Sequence, residues 1–215
     1  MLNKKLAGLL SAALLLAGCS GTIPQINEAQ RPGKAAVVAS SQIEIEGGPA
    51  RSGTLTLGLR GEEENSGIFY RLVLPANKTS FYEIEPGTYR LSAPLSFFGF
   101  SSNKLNFSAN GQSYWAPWPQ ILSDKGLMVI RPGEVLSIGV LKAALWTAPP
   151  SSSVSLDNSV QSRRALVQDV IKEMDPTSTD DIREMSLSWM DALQSALTGI
   201  LSDKGFGTSQ KSAPQ

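Results

Sequence analysis

One thiol, no imidazole and a few hydroxyl and carboxylate clusters bound the chemistry open to this chain. Cys19 is the only cysteine, and histidine is absent from all 215 residues. Ser-His-Asp and Cys-His catalysis, histidine-containing zinc sites and a histidine pH switch are therefore excluded. A single thiol provides neither a four-cysteine metal site nor an internal disulfide. Ser101-Ser102-Asn103-Lys104 places a hydroxyl and an amine one helical turn apart, yet it sits between Phe100 and Leu105 in a stretch of β periodicity. Glu62, Glu63 and Glu64 form a run of carboxylates between Gly61 and Gly67 that reads as a solvated hairpin tip rather than a calcium site. No cofactor and no enzymatic activity are expected.

The richest recognition chemistry lies between Leu95 and Ile121. Phe97, Phe98, Phe100, Phe107, Tyr114, Trp115 and Trp118 fall within 22 residues, among serines, asparagines, glycines and prolines. Rigid aromatic anchors with adaptable polar neighbours suit binding of a glycan, a peptide or a protein. In Tyr114-Trp115-Ala116-Pro117-Trp118-Pro119 the prolines hold the backbone extended, which tends to display side chains. Tyr114, Trp115 and Trp118 are the candidate contact residues. Phe97, Phe98 and Phe107 are expected to plug the core.

Period-two patterns dominate the segment that must position these residues. Leu55, Leu57 and Leu59 share one face, Ile68, Tyr70, Leu72 and Leu74 another, and 127–130 and 135–141 read as later strands. Asn110-Gly111 fits a type I′ hairpin turn, and Pro86-Gly87 and Pro132-Gly133 fit type II turns. The expectation is an antiparallel β-sandwich of about seven strands over residues 35–148. Pro149-Pro150-Ser151-Ser152-Ser153 reads as a linker over 149–158. Two amphipathic helices follow over 159–202: Val160, Val167, Val170, Ile171 and Met174 line the first, and Ile182, Met185, Trp189, Leu193, Leu197 and Ile200 the second. An apolar stripe of this size is expected to pack on the β-domain. Residues 203–215 read as a disordered polar tail.

The N-terminus carries an address. Lys4 and Lys5 precede an apolar run from Leu6 to Ala17 that is too short to span a bilayer and ends in small residues, the pattern of a secretory signal over residues 1–18. Leu16-Ala17-Gly18-Cys19 resembles the lipobox of bacterial lipoproteins. The resemblance implies that Cys19 is lipidated on sulfur, with palmitate among the acyl groups, becomes the first residue after cleavage and is then N-acylated. Ser20 follows it where aspartate marks inner-membrane retention in enteric-type lipoproteins, which implies transport to the outer membrane, facing the periplasm. Residues 19–34 read as a flexible tether.

Without Lys4 and Lys5 the chain keeps 17 basic and 19 acidic side chains, so neither nucleic acid nor a polybasic lipid contact is expected. Membrane attachment then falls to the acyl chains on Cys19. Phe81-Tyr82-Glu83-Ile84-Glu85-Pro86-Gly87-Thr88-Tyr89-Arg90-Leu91 also resembles a strand-turn-strand signature of transthyretin-like sandwich modules. The segment from Met128 to Leu141 resembles a later strand pair of bacterial lipoproteins built on such modules, with Ser137-Ile138 where a tyrosine is expected before the late glycine. The function expected from all this is a non-catalytic binding or scaffolding component of an envelope assembly. The alternative is a periplasmic glycan- or peptide-binding module using Trp115 and Trp118. An envelope hydrolase ranks third: Ser101-x-x-Lys104 resembles the dyad of penicillin-binding proteins, but their Lys-Thr-Gly and Ser-Asp-Asn motifs are absent.

Overall fold

The computed structural model describes residues 33–93, 104–123, 126–174 and 180–202. The signal segment, Cys19, nearly all of the tether, Phe97, Phe98, Phe100, Ser101 and the tail from residue 203 lie outside the described residues.

Two sheets pack face to face. The first contains β1 (Ala35–Ile45), β2 (Gly48–Pro49), β5 (Lys78–Ile84), β10 (Val135–Thr147) and β11 (Pro150–Asp157). The second contains β3 (Gly53–Glu62), β4 (Phe69–Pro75), β6 (Gly87–Ser92), β7 (Lys104–Ala109), β8 (Gln112–Pro117) and β9 (Met128–Ile130). Short helical turns over Glu63–Asn65 and α1 (Gln120–Ser123), with the helices α2 (Val160–Glu173) and α3 (Asp180–Ser202), complete the described elements. Val37, Ile43, Leu55, Leu57, Leu59, Leu72, Leu74, Phe107 and Leu141 meet between the sheets, all shielded from water. Each such side chain contributes roughly 1.5–3 kcal/mol on burial.

The first sheet is not purely antiparallel, as the alternating patterns suggested. β1 pairs with β10 in parallel, with Ala36 opposite Val135 and Ile45 opposite Leu145. The reason is written in Ala35-Ala36-Val37-Val38-Ala39, a continuous apolar run buried on both faces, as parallel strands usually are. Ala35, Val37 and Ala39 face the interior, while Ala36 and Val38 face the helices. Register slips by one residue between Val38 and Ala39, where Gly139 takes φ +113. A Cβ there would lie 2.5 Å from the Asp157 carbonyl oxygen, so only glycine fits.

The helices form a third layer over the outer face of the first sheet. Val167, Val170, Trp189, Leu193 and Ile200 pack with Ala36, Val38, Phe81, Val135 and Val140, and the Trp189 ring meets Phe81 edge-on at 5.2 Å. Ser159 caps α2, its hydroxyl accepting from the Ser162 amide. Val160 stands apart from the stripe and is exposed. The side chains of Ile182 and Met185 lie outside what the structure describes.

Residues 149–158 are not a linker. Val154 and Leu156 alternate with Ser151, Ser153 and Ser155, and β11 pairs along β10 from Thr147–Pro150 to Val140–Asp157. Pro150 opens the strand, where its missing N–H costs nothing. The β-domain therefore runs on to Asp157, and it has eleven described strands where about seven were expected, among them β2 and β9 of only two and three residues and β11 from the segment read as a linker.

Turn chemistry varies in how far it follows the expected types. Asn110 and Gly111 both take positive φ (+49 and +83), as a type I′ turn demands. At Pro132-Gly133 the Glu134 amide donates to the Arg131 carbonyl at 3.0 Å and Gly133 sits at φ +71. Gly87 instead takes φ +147, away from the type II value near +80. That connection is built round the Asn65 side chain, whose Oδ1 would lie 1.5 Å from a Cβ at position 87. Asn65 is buried beneath the Glu62–Gly67 tip, so the tip is anchored rather than merely solvated. Its amide donates to the Pro86 carbonyl and the Tyr89 hydroxyl, and its carbonyl accepts from the Thr88 amide, each at 3.1 Å.

Candidate binding surface

The structure separates the three candidate contact residues. Tyr114, Trp115 and the following prolines lie on and just beyond β8, an end strand of the second sheet, paired to β7 with Asn106 opposite Trp115. Alternation along β8 sends Ala116 into the core, and Tyr114 stacks on Phe107 with centroids 5.6 Å apart. The Tyr114 hydroxyl then donates to Gln112 Oε1 at 2.7 Å. Trp118 is half-buried and packs against the same core. Trp115 alone points outward, 56% exposed. Tyr114 and Trp118 are thus chiefly structural, because period-two geometry and the end of the strand turn them inward. Cys19 lies outside the described residues.

β8 stands beside β11 where the two sheets meet. The Ser152 hydroxyl donates to the Trp115 carbonyl at 2.8 Å and ties the two strands together. Around this seam the order is β10, β11, β8. The outward residues of β11 are Ser151, Ser153 and Ser155, all exposed. On β10, inward Leu141, Ala143 and Leu145 put Trp146 on the outer face, 45% exposed. Trp146 pairs with Ser151 on the outer face of the first sheet, and Leu145 pairs with Ser152. Trp146 was not among the residues expected from sequence. Its signal was the continuing alternation Leu141, Ala143, Leu145, which extends the strand past 141.

Two charged groups near this seam have partners. Lys142 pairs with Asp157 at 3.1 Å. Burial by itself would raise the Asp157 carboxyl, but hydrogen bonds from Ser159, Ser162 and Lys142 outweigh it and hold the group well below the ordinary carboxylate value. Glu46, at the end of β1, accepts from the Thr147 hydroxyl and, at 2.8 Å, from the Thr147 amide. Those two bonds lower its pKa, the hydroxyl contributing most.

Elsewhere the remaining candidate chemistry is modest. Lys104 opens β7, so it lies on a strand and lacks the helical setting that the Ser-Lys spacing requires. Glu63 and Glu64 each come within 3.3 Å of the Thr88 hydroxyl, and no group of three or more metal-ligating side chains occurs among the described residues. Tyr89 is fully buried, donates to the Glu85 carbonyl at 2.7 Å, and has its phenol pKa pushed well up by burial first, then by Tyr70 and nearby carboxylates. Comparison of the chain with protein-family models, with curated proteins and with solved structures returns no significant match.

Proposed function

We propose that this chain is a lipid-anchored component of the bacterial envelope, held at the outer membrane by acyl chains on Cys19, that works by binding rather than by catalysis. The Leu16-Ala17-Gly18-Cys19 pattern and Ser20 support the anchor and its destination. Among the described residues no helix is long and apolar enough to cross a membrane. The observation that carries the binding role is Trp115, an indole held outward and 56% exposed on a rigid strand. Burying such a side chain is worth on the order of 1.5–3 kcal/mol, so a partner that covers it gains what folding leaves unused. The other apolar face, that of α2 and α3, is already spent on Ala36, Val38 and Phe81.

Photo-crosslinking in living cells from a probe at position 115 tests this reading. The expected result is a discrete adduct from position 115 and none from position 118. Protease or muramidase sensitivity then tells a protein partner from cell-wall glycan. No adduct from 115, with the protein still fractionating with the outer membrane, overturns it.

A further inference from the structure

Side chains bond to the backbone of β8 on both sides of Trp115. On the β7 side Asn106, opposite Trp115, donates from its amide to the Tyr114 carbonyl at 3.3 Å. β8 ends the second sheet, and no described strand pairs with its other edge. On that side the Trp115 carbonyl accepts from the Ser152 hydroxyl at 2.8 Å. The alternation of β11 makes this serine unusual. Ser152 shares its side of the strand with Val154 and Leu156, both buried, whereas Ser151, Ser153 and Ser155 are exposed on the other. An inward strand position ordinarily takes an apolar side chain, and departures from such local rules concentrate at functional sites. Here the hydroxyl reaches across to the residue of β8 whose indole faces water.

We infer that Ser152 is a positioning residue for Trp115: its hydrogen bond fixes the peptide plane from which the indole projects, so that a partner meets an anchor already oriented. The inference rests on the binding role proposed for Trp115 and names the group that prepares it. An anchor held in its bound orientation loses less conformational freedom on association and binds more tightly for it. One net hydrogen bond corresponds to about a two- to tenfold change in affinity. Without Ser152, β8 keeps only the β7 ladder and the Asn106 bond, both on the same edge.

Ser152→Val and Ser152→Thr form the test, because the two side chains have one shape, both suit a strand, and only threonine keeps the hydroxyl. Full-length protein labelled with 5-fluorotryptophan gives a fluorine resonance for each of its four tryptophans, and Trp115→Phe identifies the one from position 115. In Ser152→Val that resonance shifts and broadens, while the Trp189 resonance, from the helical layer, stays in place and reports an intact fold. Ser152→Thr restores the original line. Ser152→Ala, smaller and equally without a donor, reproduces the effect of valine. In cells, the adduct formed by a probe at position 115 falls about two- to tenfold in Ser152→Val and recovers in Ser152→Thr. An unchanged Trp115 resonance in both Ser152→Val and Ser152→Ala overturns the inference, as does a changed resonance with an undiminished adduct. If the probe at 115 forms no adduct even beside the native serine, the binding role itself has failed and the inference falls with it, whatever the fluorine spectrum shows.

Discussion

Gly139→Ala tests the least expected part of this architecture, the parallel β1–β10 ladder and its register slip. Gly139 sits at φ +113, a region that L-residues occupy at a cost of about 1–3 kcal/mol. The added methyl would also stand 2.5 Å from the Asp157 carbonyl oxygen and 3.1 Å from Asn158 Cα, which are backbone atoms at the junction of β11 and α2. Overpacking of this kind costs about 1–3 kcal/mol more, so the sum is about 2–6 kcal/mol. Gly133→Ala is the control. Its φ is +71 and nothing lies within 4 Å of its Cβ, so it bears only the left-handed backbone cost of about 1–2 kcal/mol. Urea unfolding of both full-length variants, followed by far-UV circular dichroism, separates the two effects. A loss at Gly139→Ala no larger than at Gly133→Ala would refute the bulge and the close approach of β11 inferred from it.

Four further outcomes are expected. Asn65→Ala leaves the Thr88 amide and Pro86 carbonyl without their partner and lowers stability by about 2–4 kcal/mol, measurable as a fall in the urea midpoint. Trp189→Ala empties the space against Phe81, costs about 3–5 kcal/mol and strips hydrogen-exchange protection from α2 and α3 before the strands. Asp157 has a folded-state pKa below its unfolded value near 3.8, so its contribution is complete above that pH and is lost as pH falls towards the folded value; Asp157→Asn flattens the acid limb of stability against pH. Trp115→Ala changes stability by no more than about 0.5 kcal/mol, whereas Trp118→Ala, at a half-buried position, costs clearly more in the same denaturation assay.

What could be seen in the sequence divides along a physical line. Features encoded locally were visible: Asn110-Gly111 as a hairpin turn, Leu55-Leu57-Leu59 as one strand face, and Trp189, Leu193 and Ile200 as one side of a helix. Features that depend on distant chain were not. Nothing near Ala35 states that its parallel partner begins 100 residues later at Val135, although the unbroken apolar run was a hint of burial on both faces. β11 was hidden by Pro149-Pro150 and three serines, whose turn chemistry outweighed the Val154–Leu156 alternation. The candidate surface was half legible. Trp115, close before Pro117, stood out, but the second exposed indole, Trp146, depends on β10 running on past Leu141 beside β11. Trp118 looked equivalent to Trp115 in sequence, and only its place past the end of β8 turns it onto the core.

The parallel pairing also decides how this domain bears a pull. Force arriving through the residues ahead of Ala35 enters β1 at its start, and a load applied near Trp146 draws on the far end of β10. The two ends lie at opposite limits of one ladder. Tension therefore runs along the strands and loads the hydrogen bonds from Ala36 to Ile45 together in shear, instead of peeling them apart one by one. Under the anchor proposed above, a pull against the N-terminal attachment would meet this ladder along its most resistant direction.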